Sequence, residues 1–290
     1  MPPRNLNDLP LFSPWPARLL GLEAWTRRTR TRDEIDREFE KEKWGGLLRF
    51  GLRPGPPLTL EAADAWAQGA DIPILSWESD QLVESTPSVA HGKYRDLVAG
   101  VVERYFPATA IAELGAGYGS ILIDIARRPA FRGVPMYAAE LTESGSLLID
   151  MLAASEGVTI TTERCDLTAS PITEIDLPVG SLIYTSYAAQ YVPRLSQAFV
   201  ESLIALSPVA VIHIEPCFEH CDPKTLLGLL RRRYIEVNDY NTNLVTILHE
   251  QRERGSIDIV EERPAVFGSN PLLAASILVW RPMRGESRIR

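Results

Sequence analysis

The run from Ala110 to Arg128 constrains the chain most: a short apolar stretch Ala110–Leu114, a glycine loop Gly115-Ala-Gly117-Tyr-Gly119, and a helical stretch Ser120–Arg128. Strand, glycine turn and helix in that order bring backbone to the open end of a strand, where a ligand can approach without meeting side chains. The spacing narrows the ligand. A dinucleotide fingerprint would place its third glycine at position 120, where this chain has Ser120, so the loop favours a ligand without a pyrophosphate. Glu113, two residues before the first glycine, agrees, because a carboxylate there suits a cationic ligand, directly or through water, and suits a pyrophosphate poorly.

The texture around this loop alternates. A helix over Lys93–Phe106 precedes it; strands are expected at Val134–Leu141, Val158–Thr162, Ser181–Tyr187 and Val209–Glu215, and Ser144–Glu156 reads as a helix stopped by Gly157. Strands alternating with helices imply a parallel sheet covered on both faces, with ligands at the carboxyl ends of its strands. The rhythm then changes. Asp222–Tyr234 and Thr242–Arg254 read as helices, and the strands Ile257–Glu261 and Ala274–Trp280, with no room for a crossover helix between them, should be antiparallel.

Before about residue 90 the chain has a Pro-rich opening, a charged helical run Arg32–Trp44, a turn-rich segment at 51–57 and a short helix Thr59–Gln68. Five of the six tryptophans (Trp15, Trp25, Trp44, Trp66 and Trp77) fall here, and large aromatics need partners. We therefore expect residues 1–90 to form a helical cap or lid packed on a ligand-binding domain over 91–290.

Composition excludes some classes. With 45% hydrophobic and 23% charged residues the chain reads as globular, no apolar run approaches the ~18 residues of a membrane span, and the opening lacks a signal-peptide layout. The three cysteines Cys165, Cys217 and Cys221 form no evident disulfide set, which suits a reducing cytoplasm. A net charge of −8 argues against nucleic acid, whose phosphates reward a basic face. The basic clusters at 27–32, 231–233 and 281–290 read as solvated helix faces or frayed ends.

Two more strand ends carry carboxylates. Glu140 follows the glycine loop at the distance from which an acid accepts both ribose hydroxyls in nucleotide-binding α/β folds. Asp166, in Arg164-Cys-Asp-Leu167, can accept an exocyclic adenine amine while Cys165 or Leu167 packs on the ring.

Together, Glu113-Leu-Gly-Ala-Gly-Tyr-Gly119, Glu140 and Asp166 resemble the first three motifs of the class I S-adenosylmethionine-dependent methyltransferases. The resemblance spans about residues 91–290. It implies an α/β, Rossmann-like methyltransferase fold with a mostly parallel seven-stranded sheet and an antiparallel final strand, to which the N-terminal helical cap is added. It implies S-adenosylmethionine as cofactor, held by Glu113, Gly115, Ala116, Gly117, Tyr118, Gly119, Glu140, Leu141, Cys165, Asp166 and Leu167. In that family the carboxyl end of the fourth strand faces the methyl group, which makes Tyr187 a catalytic candidate and Gln190 and Tyr191 acceptor contacts. An Asp for catalytic Mg²⁺ and an Asn/Asp-Pro-Pro-Tyr motif are both missing there.

His213 and Glu215 alternate onto one face at the end of the fifth strand, so His213 is the candidate general base and Glu215 the residue that orients it or binds an ammonium group. Tyr240, Asn241 and Asn243 form a polar cluster expected to touch the acceptor. The string His213-x-Glu215-x-Cys217-x-x-His220-Cys221 contains zinc-ligand types but spans strand and loop with no second cysteine pair, so no metal is expected. The expected reaction is methyl transfer to an oxygen or nitrogen of a small molecule or short modified peptide, with pairing as a homodimer left open. The competing readings are a nicotinamide-dependent oxidoreductase and a non-catalytic S-adenosylmethionine-binding scaffold subunit.

Overall fold

A computed structural model of the chain describes residues 3–169, 171–172 and 175–283. Its strands are β1 (Pro3–Arg4), β2 (Ile74–Glu78), β3 (Gln81–Ser85), β4 (Ile111–Leu114), β5 (Met136–Glu140), β6 (Thr161–Arg164), β7 (Leu182–Ser186), β8 (Ala210–Pro216), β9 (Ile257–Gly268) and β10 (Ala275–Pro282). All ten join one sheet in the order β1-β3-β2-β9-β10-β8-β7-β4-β5-β6. The expected α/β core is present in it: β6, β5, β4, β7 and β8 run parallel, and β10 is antiparallel to both β8 and β9.

The expected count of seven strands is corrected to ten. The additional three come from the segment expected to form the helical cap, where Ser79 and Asp80 both take positive φ (47° and 64°) and turn β2 back on β3. Two positive-φ residues at the centre of a two-residue loop match the right-handed twist of a hairpin. The hairpin docks on β9 through the pairs Trp77↔Gly268 and Glu78↔Phe267. Residue 90 falls inside the helix Pro87–Tyr105, which starts where Thr86 accepts from the Val89 N–H and Pro87 opens the first turn.

The central strands are buried on both faces, which is why β4, β7 and β8 read as nearly continuous apolar runs. Alternation divides the core. Ile111, Ile212, Ile214 and Ile277 face the layer that includes the helices Pro87–Tyr105 and Ser120–Arg127, whereas Leu114, Val211, Leu278 and Trp280 face Gln197–Ala205 and Leu244–Glu253.

The N-terminal segment lies over the carboxyl ends of the strands and over the outer helices. Leu47, Leu58 and Leu60 pack with Leu148 and Leu152 of the helix Glu143–Glu156, and Leu9 and Trp15 pack near Tyr234. The expected helix Arg32–Trp44 divides: Arg32–Asp36 is α-helical, Arg37–Lys43 is a π-helical stretch, and Trp44–Gly51 is α-helical again. Stretches of π-helix are rare and concentrate at functional sites. Among the described residues, no helix is long and apolar enough to cross a membrane.

Candidate functional site

The sheet changes winding direction between β4 and β7, and a cavity of about 540 Å³ opens there at the carboxyl ends of the strands. The glycine loop forms its floor. Gly115, Gly117 and Gly119 all have positive φ, and Gly119 caps the helix Ser120–Arg127 from the left-handed region. Gly117 also needs its missing side chain, because a Cβ there would lie 2.9 Å from the Trp44 ring. Trp44 therefore sits directly over the loop and against Tyr118, with ring centroids 5.0 Å apart.

Glu113, Gly115, Ala116, Gly117, Tyr118, Glu140, Leu141, Cys165, Asp166 and Leu167 all line this cavity, whereas Gly119 does not. The Glu140 carboxylate accepts from the Gly117 N–H (2.8 Å) through Oε2 and from the Thr142 N–H (3.0 Å) and hydroxyl (2.7 Å) through Oε1. A carboxylate offers about four acceptor positions, so one remains for a ligand hydroxyl without rearrangement. Asp166 accepts from the Thr168 N–H (2.9 Å) and hydroxyl (2.6 Å) through Oδ1, while Oδ2 is ion-paired with Arg32. Glu113 accepts from the Tyr184 hydroxyl at 2.9 Å, and burial pushes its carboxyl up to about 8.

Aromatic residues make up much of the remaining lining. Tyr94 stands between Tyr187 and Phe267 at centroid distances of 5.3 Å and 5.8 Å, and Phe39, Trp44 and Tyr191 wall another side. Tyr187 itself has φ of +49°, an unusual conformation for a bulky residue. Its hydroxyl donates to the Leu273 carbonyl at 2.9 Å, and burial raises its pKa.

Several expected acceptor residues lie elsewhere. His213 is corrected from general base to structural group: it is fully buried, does not line the cavity, and both ring nitrogens are engaged. Trp280 Nε1 is a donor only, so at 3.1 Å it fixes His213 Nε2 as acceptor and leaves Nδ1–H to donate to Thr185 Oγ1 at 3.0 Å. Burial drives the His213 pKa down to about 3. Glu215 is likewise outside the cavity. Its carboxylate accepts from the N–H groups of Ala188 (2.9 Å), Ala189 (3.0 Å) and Gln190 (3.2 Å), so it anchors the loop after β7 and holds no ammonium.

Gln190, Tyr240, Asn241 and Asn243 also fall outside the cavity lining; only Tyr191 of the expected acceptor contacts reaches it. Asn241 Nδ2 donates to the Val192 carbonyl (2.7 Å) and its Oδ1 accepts from the Asn243 (3.0 Å) and Leu244 (2.9 Å) N–H groups. Asn243 bonds both backbone groups of Leu195. These asparagines staple two loops together. In the zinc-like string, His220 bonds Ser276 and Glu262 while the Cys221 thiol donates to the Cys217 carbonyl; among the described residues no three His, Cys, Asp or Glu gather as a metal site.

In two of the basic clusters one arginine departs from the solvated reading. Arg30 is buried, with its guanidinium 4.8 Å and 4.7 Å from the Tyr191 and Tyr240 ring centroids and bonded to Glu38 at 2.6 Å. Arg231 is buried over Trp77 at 4.4 Å. Residues 284–290 of the Arg-rich tail lie outside the described residues.

The sequence reading missed one polar group at the cavity edge. Asp64, buried in the segment before β2, accepts from the Tyr118 hydroxyl (2.9 Å), the Ser120 hydroxyl (2.7 Å) and Arg95 Nη1 (2.8 Å). Burial would raise its carboxyl, but bonds from His91, Ser120 and Tyr118 outweigh that and hold it low. His91, which lines the cavity, lies 3.1 Å from Ser120 Oγ and 3.5 Å from Asp64 Oδ2. The signal available was spacing: Pro87, Ala90, His91 and Tyr94 share one helical face, and all four line the cavity.

No protein-family model matches the chain, and no curated protein matches it in sequence. Solved structures do match in fold. The crystal structure of magnesium protoporphyrin IX methyltransferase (ChlM) from Synechocystis PCC 6803 aligns with a TM-score of 0.51 at 15% identity over 86% of this chain and 99% of that one. The [4+2]-cyclase SpnF aligns with a TM-score of 0.55 at 10% identity over 90% of this chain and 100% of that one. The small RNA methyltransferase HEN1 aligns with a TM-score of 0.50 at 13% identity over 68% of this chain and 26% of that one. With that strand order, that glycine loop and those neighbours, the chain has the fold of the class I S-adenosylmethionine-dependent methyltransferases.

Proposed function

We propose that this protein binds S-adenosylmethionine in the cavity and transfers its methyl group to an oxygen or nitrogen of a small molecule. A similar fold in SpnF belongs to a cyclase, so the reaction has to be argued from the site. One observation carries the reading: carboxylates at the ends of two neighbouring strands, Glu140 and Asp166, flank a glycine loop in one cavity. This donor set fits a ribose and an adenine amine. The ChlM structure, solved with SAH bound, lends the same support.

When bound, S-adenosylmethionine supplies a methyl group on a sulfonium, an electrophile that needs alignment more than activation. The chain's own residues provide that alignment. Glu140 and Asp166 hold the nucleoside, Leu141 and Leu167 pack on its base, and Trp44 covers the loop and excludes water. Arg32, Phe39 and Lys43 bring the N-terminal segment over this end, while Tyr94, Tyr187 and Phe267 form the wall nearest the end of β7. Glu215, through the backbone of residues 188–190, holds that wall in place.

Calorimetric titration with S-adenosylmethionine, S-adenosylhomocysteine and NAD tests the reading. Saturable binding of the first two with no heat from NAD supports it; binding of NAD alone overturns it in favour of an oxidoreductase. Cofactor binding with no transfer to a broad acceptor panel would instead revive the scaffold reading.

A further inference from the structure

Resting on the methyltransferase reading, we infer that the acceptor is a flat, uncharged aromatic molecule bearing a hydroxyl group, and that His91 takes the hydroxyl proton.

The shape argument comes from the rings. Tyr187 and Phe267 each meet Tyr94 at the cavity, with ring centroids 5.3 Å and 5.8 Å from it, and the Tyr94 and Phe267 planes lie 29° apart. Both tyrosine hydroxyls are spent on the protein, Tyr94 on Ser186 Oγ at 2.7 Å and Tyr187 on the Leu273 carbonyl at 2.9 Å, so the rings are what a ligand meets. Such a surface rewards a flat aromatic partner. It offers an ammonium group little, because Glu113, a carboxyl of the lining, already accepts from the Tyr184 hydroxyl at 2.9 Å and burial raises its pKa, which disfavours the charged form.

The base argument comes from hydrogen-bond bookkeeping. The single proton of Ser120 Oγ goes to Asp64 Oδ1 at 2.7 Å, so toward His91 Nε2 that hydroxyl can only accept. Nε2 therefore carries the ring proton, with Asp64 Oδ2 behind it at 3.5 Å. The lone pair is left on Nδ1, which no described residue bonds. Of the chain's four histidines only His91 lines the cavity, one helical turn from Tyr94. In the transfer the hydroxyl O–H bond breaks and its proton goes to His91 Nδ1. The oxygen forms the new O–CH₃ bond as the S–CH₃ bond breaks, its electron pair staying on sulfur. The imidazolium that results faces Asp64, whose carboxylate is already ionised.

The test compares the wild type with His91→Gln on 1-naphthol, which stays protonated at neutral pH, and pentafluorophenol, which is already ionised there. Binding of S-adenosylhomocysteine is measured by calorimetry for both proteins. We expect His91→Gln to slow transfer to 1-naphthol by about 10²- to 10⁴-fold and to pentafluorophenol by less than about tenfold, with product affinity held within about threefold. Equal losses on both acceptors, or a fall in affinity that matches the fall in rate, would make His91 a structural or cofactor-holding residue and overturn the inference. A wild type that binds S-adenosylhomocysteine but methylates neither phenol overturns the acceptor class alone. Failure to bind either form of the cofactor overturns the reading beneath it as well.

Discussion

Arg32, in the first turn of the helix lying over the cavity, is ion-paired with Asp166 at the carboxyl end of the sheet. The pair ties the N-terminal segment to the residue that would hold adenine. Because Asp166 Oδ1 and Oδ2 serve Thr168 and Arg32 respectively, adenine would share this carboxylate with the strut. Replacing Arg32 with Gln should leave Asp166 free to bind but loosen the cover. Stopped-flow release of S-adenosylhomocysteine should then be about two- to fivefold faster, the range expected of a half-exposed ion pair, and the difference should shrink as salt is added.

Glu140 should behave differently, since its carboxylate joins the glycine loop to Thr142. Glu140→Gln keeps the volume but turns one acceptor oxygen into a donor facing the Gly117 or Thr142 N–H. Cofactor affinity measured by calorimetry should fall by at least about tenfold, as expected for loss of a charged hydrogen-bond acceptor. The melting temperature should fall with it, because the same atoms hold the loop in the free protein.

His213 gives a pH signature. Its pKa is about 3 in the folded chain and near 6.5 when unfolded, so between these values the unfolded state binds the extra proton. The stability it contributes is complete above 6.5 and is lost as pH falls toward 3, at a limiting slope of about 1.4 kcal/mol per unit. Denaturant titrations of wild type and His213→Asn over that window should show a shallower decline in the variant. The variant should also be destabilised by roughly 1–3 kcal/mol at neutral pH through the unpaired Trp280 N–H or Thr185 hydroxyl. A collapse in methyl transfer by folded His213→Asn with stability unchanged would contradict the structural role.

Arg30 is the remaining case. Held against the perpendicular rings of Tyr191 and Tyr240 and bonded to buried Glu38, it joins the N-terminal segment to two loops at once. Burial would raise the Glu38 carboxyl, but Lys43 and Arg30 outweigh it and hold it at about 2. Arg30→Met leaves that charge with Lys43 and Arg28, and should cost about 3 kcal/mol of unfolding free energy by denaturant titration. Arg30→Lys should recover only part of the loss, since a single ammonium cannot reach both the Asn238 carbonyl and Glu38 as the guanidinium fork does.

The parallel core was legible because its strands carry their burial in their composition: Ile111–Leu114 and Ala210–Pro216 are buried at every position. Cofactor-side residues were legible for a related reason, since glycine loop and strand-end acids recur at short, fixed spacing. The hairpin was not. Ser79-Asp80 lacks the Asn-Gly signal, and its strands join the sheet only through β9, far along the chain. β9 was expected to end at Glu261, whereas in the fold it continues to Gly268 past a shift in register. His213 misled because alternation on a strand says which face a side chain takes but not that Trp280 and Thr185 wait there. His91 was passed over because its partner, Asp64, lies in another segment and only tertiary packing unites them.

Trp77 on the hairpin donates its indole N–H to the carbonyl of Ala265, 188 residues further along the chain. During synthesis the hairpin therefore emerges long before its partner strand, with the edge of β2 that will meet β9 still unpaired. Bringing these two remote stretches together is the slow kind of step that long sequence separation imposes. The place where they meet adjoins Phe267, one of the cavity walls. A chain that has assembled only its parallel core therefore still lacks this wall of the cavity.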